Sequence, residues 1–228
     1  MNGAALAGAL PGGGRVLFTT RADGNMSSAG GLGWELGAAN REALRLQIGA
    51  RGIARGLQVH RSTVARVAQL VQDPPSNEAL AEADGQATAL GRLAAMVLAA
   101  DCLPVALGCQ GAVAIVHAGW RGLSAGVLEE GVAALRELGG TGPIGAVLGP
   151  CAGACCYEVG PEVHEALGEP GLASGPADLR AIARRRLEAA GAGDISELGG
   201  CTICDQRFFS HRREGAAAGR IAGVAWLS

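Results

Sequence analysis

From Leu93 to Gly122 the chain reads LAAMVLAADCLPVALGCQGAVAIVHAGWRG, and no other stretch limits the available folds as much. Two continuous apolar runs, Leu93–Ala100 and Ala112–Val116, each stop at residues able to bind a metal: Asp101-Cys102 after the first, His117 after the second. Apolar runs of this length, bounded by Gly and Pro, read as strands covered on both faces, because a strand with one wet face alternates instead. The turn Ala118-Gly119-Trp120-Arg121-Gly122 follows His117 directly. Polar groups at the ends of buried strands stand on the rim of a rigid sheet, where ligands usually bind.

The flanking sequence supplies the cover. Arg15–Thr20 reads as a first strand, followed by Arg21 and a Gly/Ser loop to Gly33. Asn40–Ile48 reads as a short helix, Gly56–His60 and Thr63–Ala68 as β segments, and Ala83-Asp84-Gly85 as a turn. The spacing of Val127, Leu128, Val132 and Leu135 predicts one helix over Ser124–Leu138, capped by Ser124 and stopped by Gly139-Gly140. Ile144–Leu148 is a further buried strand. Pro161–Leu167 and Ala177–Ala190 read as helices, the second with Arg184-Arg185-Arg186 on its solvated side. Ile221–Leu227 closes the chain as a strand. Residues 1–14, rich in Gly and Ala, read as a flexible N-terminus, and 15–228 as a single α/β domain with central strands and outer helices.

With 49% hydrophobic and 18% charged residues, the 228-residue chain can bury a core and is not of disordered composition. A formal charge of −2 with no long basic run argues against nucleic acid and membrane surfaces as partners. No apolar stretch reaches the ~18 residues of a membrane span. All 19 basic residues are Arg, which removes every mechanism that needs a lysine Schiff base or a P-loop lysine. The start MNGAALAGALPGGG lacks the basic and apolar segments of a secretory signal, and seven Cys, an odd number, read as reduced thiols in the cytoplasm.

His60, Cys102 and His117 form the first chemical constellation. Two imidazoles and a thiolate suit zinc, and three protein ligands leave a fourth position open, as catalytic zinc requires. Their spacing follows no zinc-finger pattern, and a core thiol beside hydrogen-bonded histidines reads equally well from these residues alone. The second constellation is Cys201-x-x-Cys204 with Cys155-Cys156 and Cys151. A vicinal pair is a poor source of two ligands for one tetrahedral site, and no thioredoxin-like context surrounds Cys201. These read as ordinary buried thiols. Third, the turn Gly119-Trp120-Arg121-Gly122 offers N–H groups at a helix start beside a guanidinium, an anion site; Arg21 is a second anion contact. A tight turn and structural ion pairs are the competing reading for both. In Arg207–Arg213 two Phe among arginines suit either base stacking or a strand packed inward, and His164 and His211 read as surface or structural.

Several strings, in order, carry a resemblance: Gln58-Val59-His60, Ala100-Asp101-Cys102-Leu103-Pro104-Val105, His117-Ala118-Gly119-Trp120-Arg121-Gly122-Leu123, Gly149-Pro150, Cys156-Tyr157-Glu158-Val159-Gly160, Asp178-Leu179, Cys201-Thr202 and Phe208-Phe209-Ser210-His211-Arg212-Arg213. From Phe18 to Leu227 the chain is similar to the laccase-domain family, also described as polyphenol oxidase-like proteins, peptidoglycan editing factors, and purine nucleoside phosphorylases with adenosine deaminase activity. The resemblance implies a layered α/β/β/α fold with central mixed sheets and outer helices. It implies zinc on His60, Cys102 and His117, with copper as the alternative ion, and a pocket for purine nucleosides and phosphate. The chain departs from the family pattern at Arg61, where Gly is usual, in the loop Thr20–Gly37 before Asn40-Arg41, and at Gly85 in place of Ala.

Of the functions so implied, a zinc-dependent purine nucleoside phosphorylase is the leading expectation. Phosphate would attack C1′ of adenosine, inosine, guanosine or methylthioadenosine, and adenosine would also be deaminated, making the chain both transferase and hydrolase. Arg121 and Arg21 are the expected anion contacts, and Asp101 the carboxylate that orients a ligand or moves a proton. The alternative is a peptidoglycan-precursor editing hydrolase, since the same metal chemistry serves amide cleavage. A copper polyphenol oxidase needs roughly ten histidines for its mononuclear and trinuclear sites, and this chain has 4. The expected assembly is a monomer or weak homo-oligomer.

Overall fold

The two apolar runs become Leu93–Ala99 and Ala112–Ala118, central strands of two different sheets. The computed structural model describes residues 5–228. One sheet has the order Leu6–Ala9, Gly14–Phe18, Ile221–Leu227, Leu93–Ala99, Gly52–Ala54, antiparallel except for the last pair. The other runs Ala192–Glu197, Thr141–Leu148, Leu103–Gln110, Ala112–Ala118, Gly85–Thr88, Val64–Arg66, antiparallel in the middle and parallel at both ends.

The sheets lie face to face. Val16, Phe18, Ala95 and Val97 of the first meet Ala106, Val113, Ile115 and Val147 of the second. Alternate residues of the same strands point the other way, since side chains in a strand change face at every step. Ala94 and Met96 cover Leu44 of the helix Gly37–Gln47. Val105, Leu107 and Val116 pack on Leu128 and Leu135 of the helix Val127–Glu137 and on Ile182 and Leu187 of the helix Leu179–Ala189. Both faces of both sheets are therefore dry, and the order of layers is helix, sheet, sheet, helices. This is the α/β/β/α arrangement that the resemblance implies.

Five local expectations need correction. Residues 1–4 lie outside the described residues, but Leu6–Ala9, within the segment read as flexible, is an edge strand paired with Gly14–Phe18. The predicted helix Ser124–Leu138 is two: Trp120–Ser124 and Val127–Glu137, separated at Gly126, whose φ of 87° no helix accommodates. Ser124 ends the first piece, so it caps nothing at its N-terminus. Gly56–His60 forms no strand, only a bridge from Leu57 to Glu82. Phe208 and Phe209 are buried, yet on an irregular segment and not on a strand. Arg184 and Arg186 turn inward far enough to donate to the carbonyls of Ile195 (3.0 Å) and Leu123 (2.7 Å), leaving only Arg185 well exposed. Among the described residues no helix is long and apolar enough to cross a membrane.

Candidate functional site

The fold joins two strand ends and one loop. Cys102 lies between the end of Leu93–Ala99 and the start of Leu103–Gln110, and His117 is near the end of Ala112–Ala118, the neighbour of Leu103–Gln110. His60 comes from the loop after Gly52–Ala54, in the left-handed region at φ 60°. The donor atoms of His60, Cys102 and His117 all lie within 4.8 Å of one another. The two imidazoles meet edge to face at 4.9 Å between centroids.

Asp84 holds this arrangement. Its carboxylate is fully buried and accepts from the backbone N–H of Val59 (3.1 Å), His60 (2.9 Å) and Arg61 (2.8 Å), which fixes the strained turn at His60. It also sits 2.9 Å from Nδ1 of His117. A carboxylate only accepts, so Nδ1 carries a hydrogen, which leaves Nε2 as the nitrogen that would bind an ion at the centre of the trio once its own proton is displaced. Burial opposes ionisation of Asp84, but the hydrogen bonds from His117 and the backbone outweigh it and hold the carboxyl below its ordinary value. At Cys102, burial pushes the thiol up, while His117 and His60 more than offset it and bring it to about 6. Burial likewise lowers His117, but the Cys102 thiolate and Asp84 together raise it to about 9. Gly119 completes the cradle: a Cβ there would stand 2.8 Å from Cys102 Sγ. One thiolate, one imidazole oriented by Asp84 and a second carried on a turn that Asp84 pins are a donor set that fits a borderline-soft divalent ion.

The trio opens into a cavity of about 510 Å³, the size range of sites for small ligands. Its walls carry Gln58, Asp101, Trp120, Arg121, Tyr157, His211, Arg212 and Arg220. Arg121 is exposed and stacks over the Trp120 ring, 4.2 Å from its centroid. The helix behind it is only Trp120–Ser124, so the guanidinium, and no long helix terminus, is what that turn contributes. Asp101, at φ 86°, accepts from Thr202 Oγ1 (2.6 Å) and from the Arg212 N–H (2.6 Å), so both its oxygens are committed to holding the wall that carries Arg212.

Arg21 does not reach the cavity. It lies over the Phe209 ring, pairs with Glu214, and donates to the Phe208 carbonyl at 3.1 Å, so its donors are spent on the fold. Arg61, the departure from the family pattern, points outward to Glu82 at 3.2 Å and its φ is not positive, so the turn tolerates a side chain there. His164 is buried beside Glu169, whereas His211, read as surface or structural, is exposed and lines the cavity. Sequence reasoning also missed Asp84, Tyr157 and Arg220, whose neighbours in space are far away in the chain.

Fold and site together define a single mixed α/β domain with a three-donor metal-type centre under an open pocket. The profile of the family described as multi-copper polyphenol oxidoreductase laccase matches residues 16–228, and the chain belongs to that family. A Xylella fastidiosa protein named purine nucleoside phosphorylase is 42% identical over 209 residues, 82% of this chain and 77% of that protein. A Mycobacterium tuberculosis protein of the same name is 36% identical over 208 residues, covering 83% and 79%. A crystal structure of a Neisseria meningitidis protein superposes with a TM-score of 0.78 at 31% identity, covering 98% of both chains.

Proposed function

We propose that this chain is a purine nucleoside phosphorylase that also deaminates adenosine, with zinc held by His60, Cys102 and His117. The observation that carries the reading is the convergence of these three donors, with Asp84 behind them, on a cavity that also holds Arg121, Arg212, Arg220 and Tyr157. The substrate class comes from the name borne by the relatives. When bound, the ion would polarise a water near neutral pH, the chemistry that replacement of the C6 amino group requires.

The remaining work falls to side chains. Asp84 keeps the His117 proton on Nδ1. Phosphorolysis forms a bond from phosphate to C1′ and breaks the bond from C1′ to the purine nitrogen, so the site must hold an anion and protonate a leaving base. Arg121, braced by the Trp120 indole and free of any carboxylate partner among the described residues, is the phosphate contact. Tyr157 lines the cavity as a neutral donor, because burial, and then the Cys102 thiolate, raise its phenol. We assign Asp101 to positioning the Arg212 segment, since Thr202 and the Arg212 N–H occupy its oxygens. Only His60, His117 and His211 of the 4 histidines line the cavity, which leaves too few for a trinuclear copper centre.

The test incubates the purified protein with adenosine and inorganic phosphate, with and without a chelator, and resolves the products. Adenine with ribose 1-phosphate, and inosine or hypoxanthine, are expected. Cys102→Ala abolishes metal binding at the His60–Cys102–His117 centre and deamination, and Arg121→Ala raises the KM for phosphate about tenfold. Metal-loaded protein that leaves every purine nucleoside intact overturns the reading and points to amide bonds of peptidoglycan precursors.

A further inference from the structure

Beside the cavity the fold gathers a second set of donors. Cys155 and Cys156 lie in a tight turn in which the N–H groups of Cys156 and Tyr157 both donate to the Gly153 carbonyl at 2.9 Å. In an extended chain adjacent side chains point to opposite faces, but in a helical turn they diverge by only about 100°, so both can face one centre. Cys201 and Cys204 flank another turn, closed by the Asp205 N–H to the Cys201 carbonyl at 2.9 Å. The bridge between Cys151 and Cys201 sets the two turns side by side. All four sulfurs of Cys155, Cys156, Cys201 and Cys204 then fall within 4.8 Å of one another, with Cys204 Sγ 2.9 Å from Cys156 Sγ and 3.5 Å from Cys155 Sγ. A tetrahedral tetrathiolate with Zn–S bonds of about 2.3 Å spaces its sulfurs about 3.8 Å apart. The set is already near that size.

A pair of disulfides would also use four close cysteines, and the surroundings argue against it. The Gly153 N–H donates to Cys201 Sγ at 3.2 Å. Donors aimed at sulfur stabilise a thiolate, the form that binds metal, and gain little from a neutral disulfide. Cationic groups brace the same loop: Arg180 donates to the Gly200 carbonyl at 2.8 Å, and Arg213 to those of Thr202 (2.6 Å) and Ile203 (2.9 Å). They offset part of the net negative charge that four thiolates around a divalent ion carry.

We propose that Cys155, Cys156, Cys201 and Cys204 form a second metal site that holds one zinc ion in a closed tetrathiolate. With every position filled by protein, the ion has no place for substrate and acts as a fastener. It ties the turn before Tyr157, a wall of the cavity, to the turn carrying Thr202, which donates to Asp101. The two turns are 48 residues apart in sequence, so the link closes a long loop next to the catalytic pocket.

Native mass spectrometry of the full chain, purified anaerobically from zinc-supplemented cells, counts the ions. The wild type should carry two zinc, Cys102→Ala one, and Cys155→Ser with Cys204→Ser one. Cobalt-substituted Cys102→Ala, which keeps only the four-cysteine set, should show thiolate-to-cobalt charge transfer of a tetrahedral site. In the zinc-loaded wild type, iodoacetamide should leave all four cysteines unmodified until a chelator is added. One zinc in the wild type with these cysteines freely alkylated, or a disulfide among them in the same preparation, overturns the proposal. The wild-type counts and alkylation decide the matter even if the double variant does not fold.

Discussion

At the residue scale the site turns on Asp84, which makes no contact with the cavity yet governs two of the three donors. It fixes the His117 tautomer through Nδ1 and holds His60 in a left-handed turn through its backbone N–H. Asp84→Asn keeps the shape but supplies an amide whose NH₂ opposes those donors. The zinc affinity, measured by competition with a chromophoric chelator, should fall about 10- to 100-fold, with a similar loss of deaminase kcat/KM. Unchanged affinity would show that His117 needs no such orientation. Cys102 and His117 were legible in the sequence because each ends an apolar run, and a rigid strand end is where a ligand can be held. Asp84 was not: its sequence neighbours suggest only a turn, and its partners at 59–61 and 117 are joined to it by tertiary structure alone. The convergence of the four cysteines was missed for the same reason, since a vicinal pair looks unsuitable until the turn at Gly153 brings both side chains to one side.

Among elements, those that follow a single periodic pattern were readable and those that bend it were not. Leu93–Ala99, Ala112–Ala118 and Ile221–Leu227 are apolar runs buried on both faces. Leu103–Gln110 lies between the first two in sequence and next to Ala112–Ala118 in space, but Pro104 and Gly108 interrupt its pattern. Pro104 fits because it is the second residue of the strand, where its carbonyl still accepts from the Gly149 N–H at 2.9 Å. The split of the long helix has a similar cause: the apolar spacing continues through Gly126, while the backbone there turns to φ 87°. A Cβ at that position would meet only a Glu129 side-chain oxygen at 3.6 Å, so Gly126→Ala tests the backbone conformation with little steric clash. It should cost about 1–2 kcal/mol and lower the Tm by about 2–8 °C. A stabilised protein would mean that the two helices can merge into the one that the sequence pattern describes.

For the molecule as a whole, the segment 200–214 closes the pocket, and charges hang it from the rest of the chain. Glu214 receives Arg21 from the opposite end of the sequence and Arg213 from its own helix, while Arg213 also donates to the Phe208 carbonyl at 2.6 Å. Arg21 thus serves assembly, fastening the loop after Gly14–Phe18 to the wall that bears His211 and Arg212. Burial raises the Glu214 carboxyl, but the two guanidiniums outweigh it and hold it below its ordinary value near 4.5. A carboxyl lowered in the folded state contributes its full stability above the unfolded value and loses it as pH falls through the folded one. Wild-type stability should therefore decline from about pH 4.5 downward, in part through this group. Glu214→Gln should be less stable by about 1 kcal/mol at pH 7, a modest figure because Arg21 is 38% exposed and solvent screens the pair. The gap between the two proteins should close as Glu214 takes its proton, which urea midpoints between pH 3 and 7 would read directly. If the gap persists at pH 3, the shape of the side chain, and not its charge, ties the two ends of the molecule together.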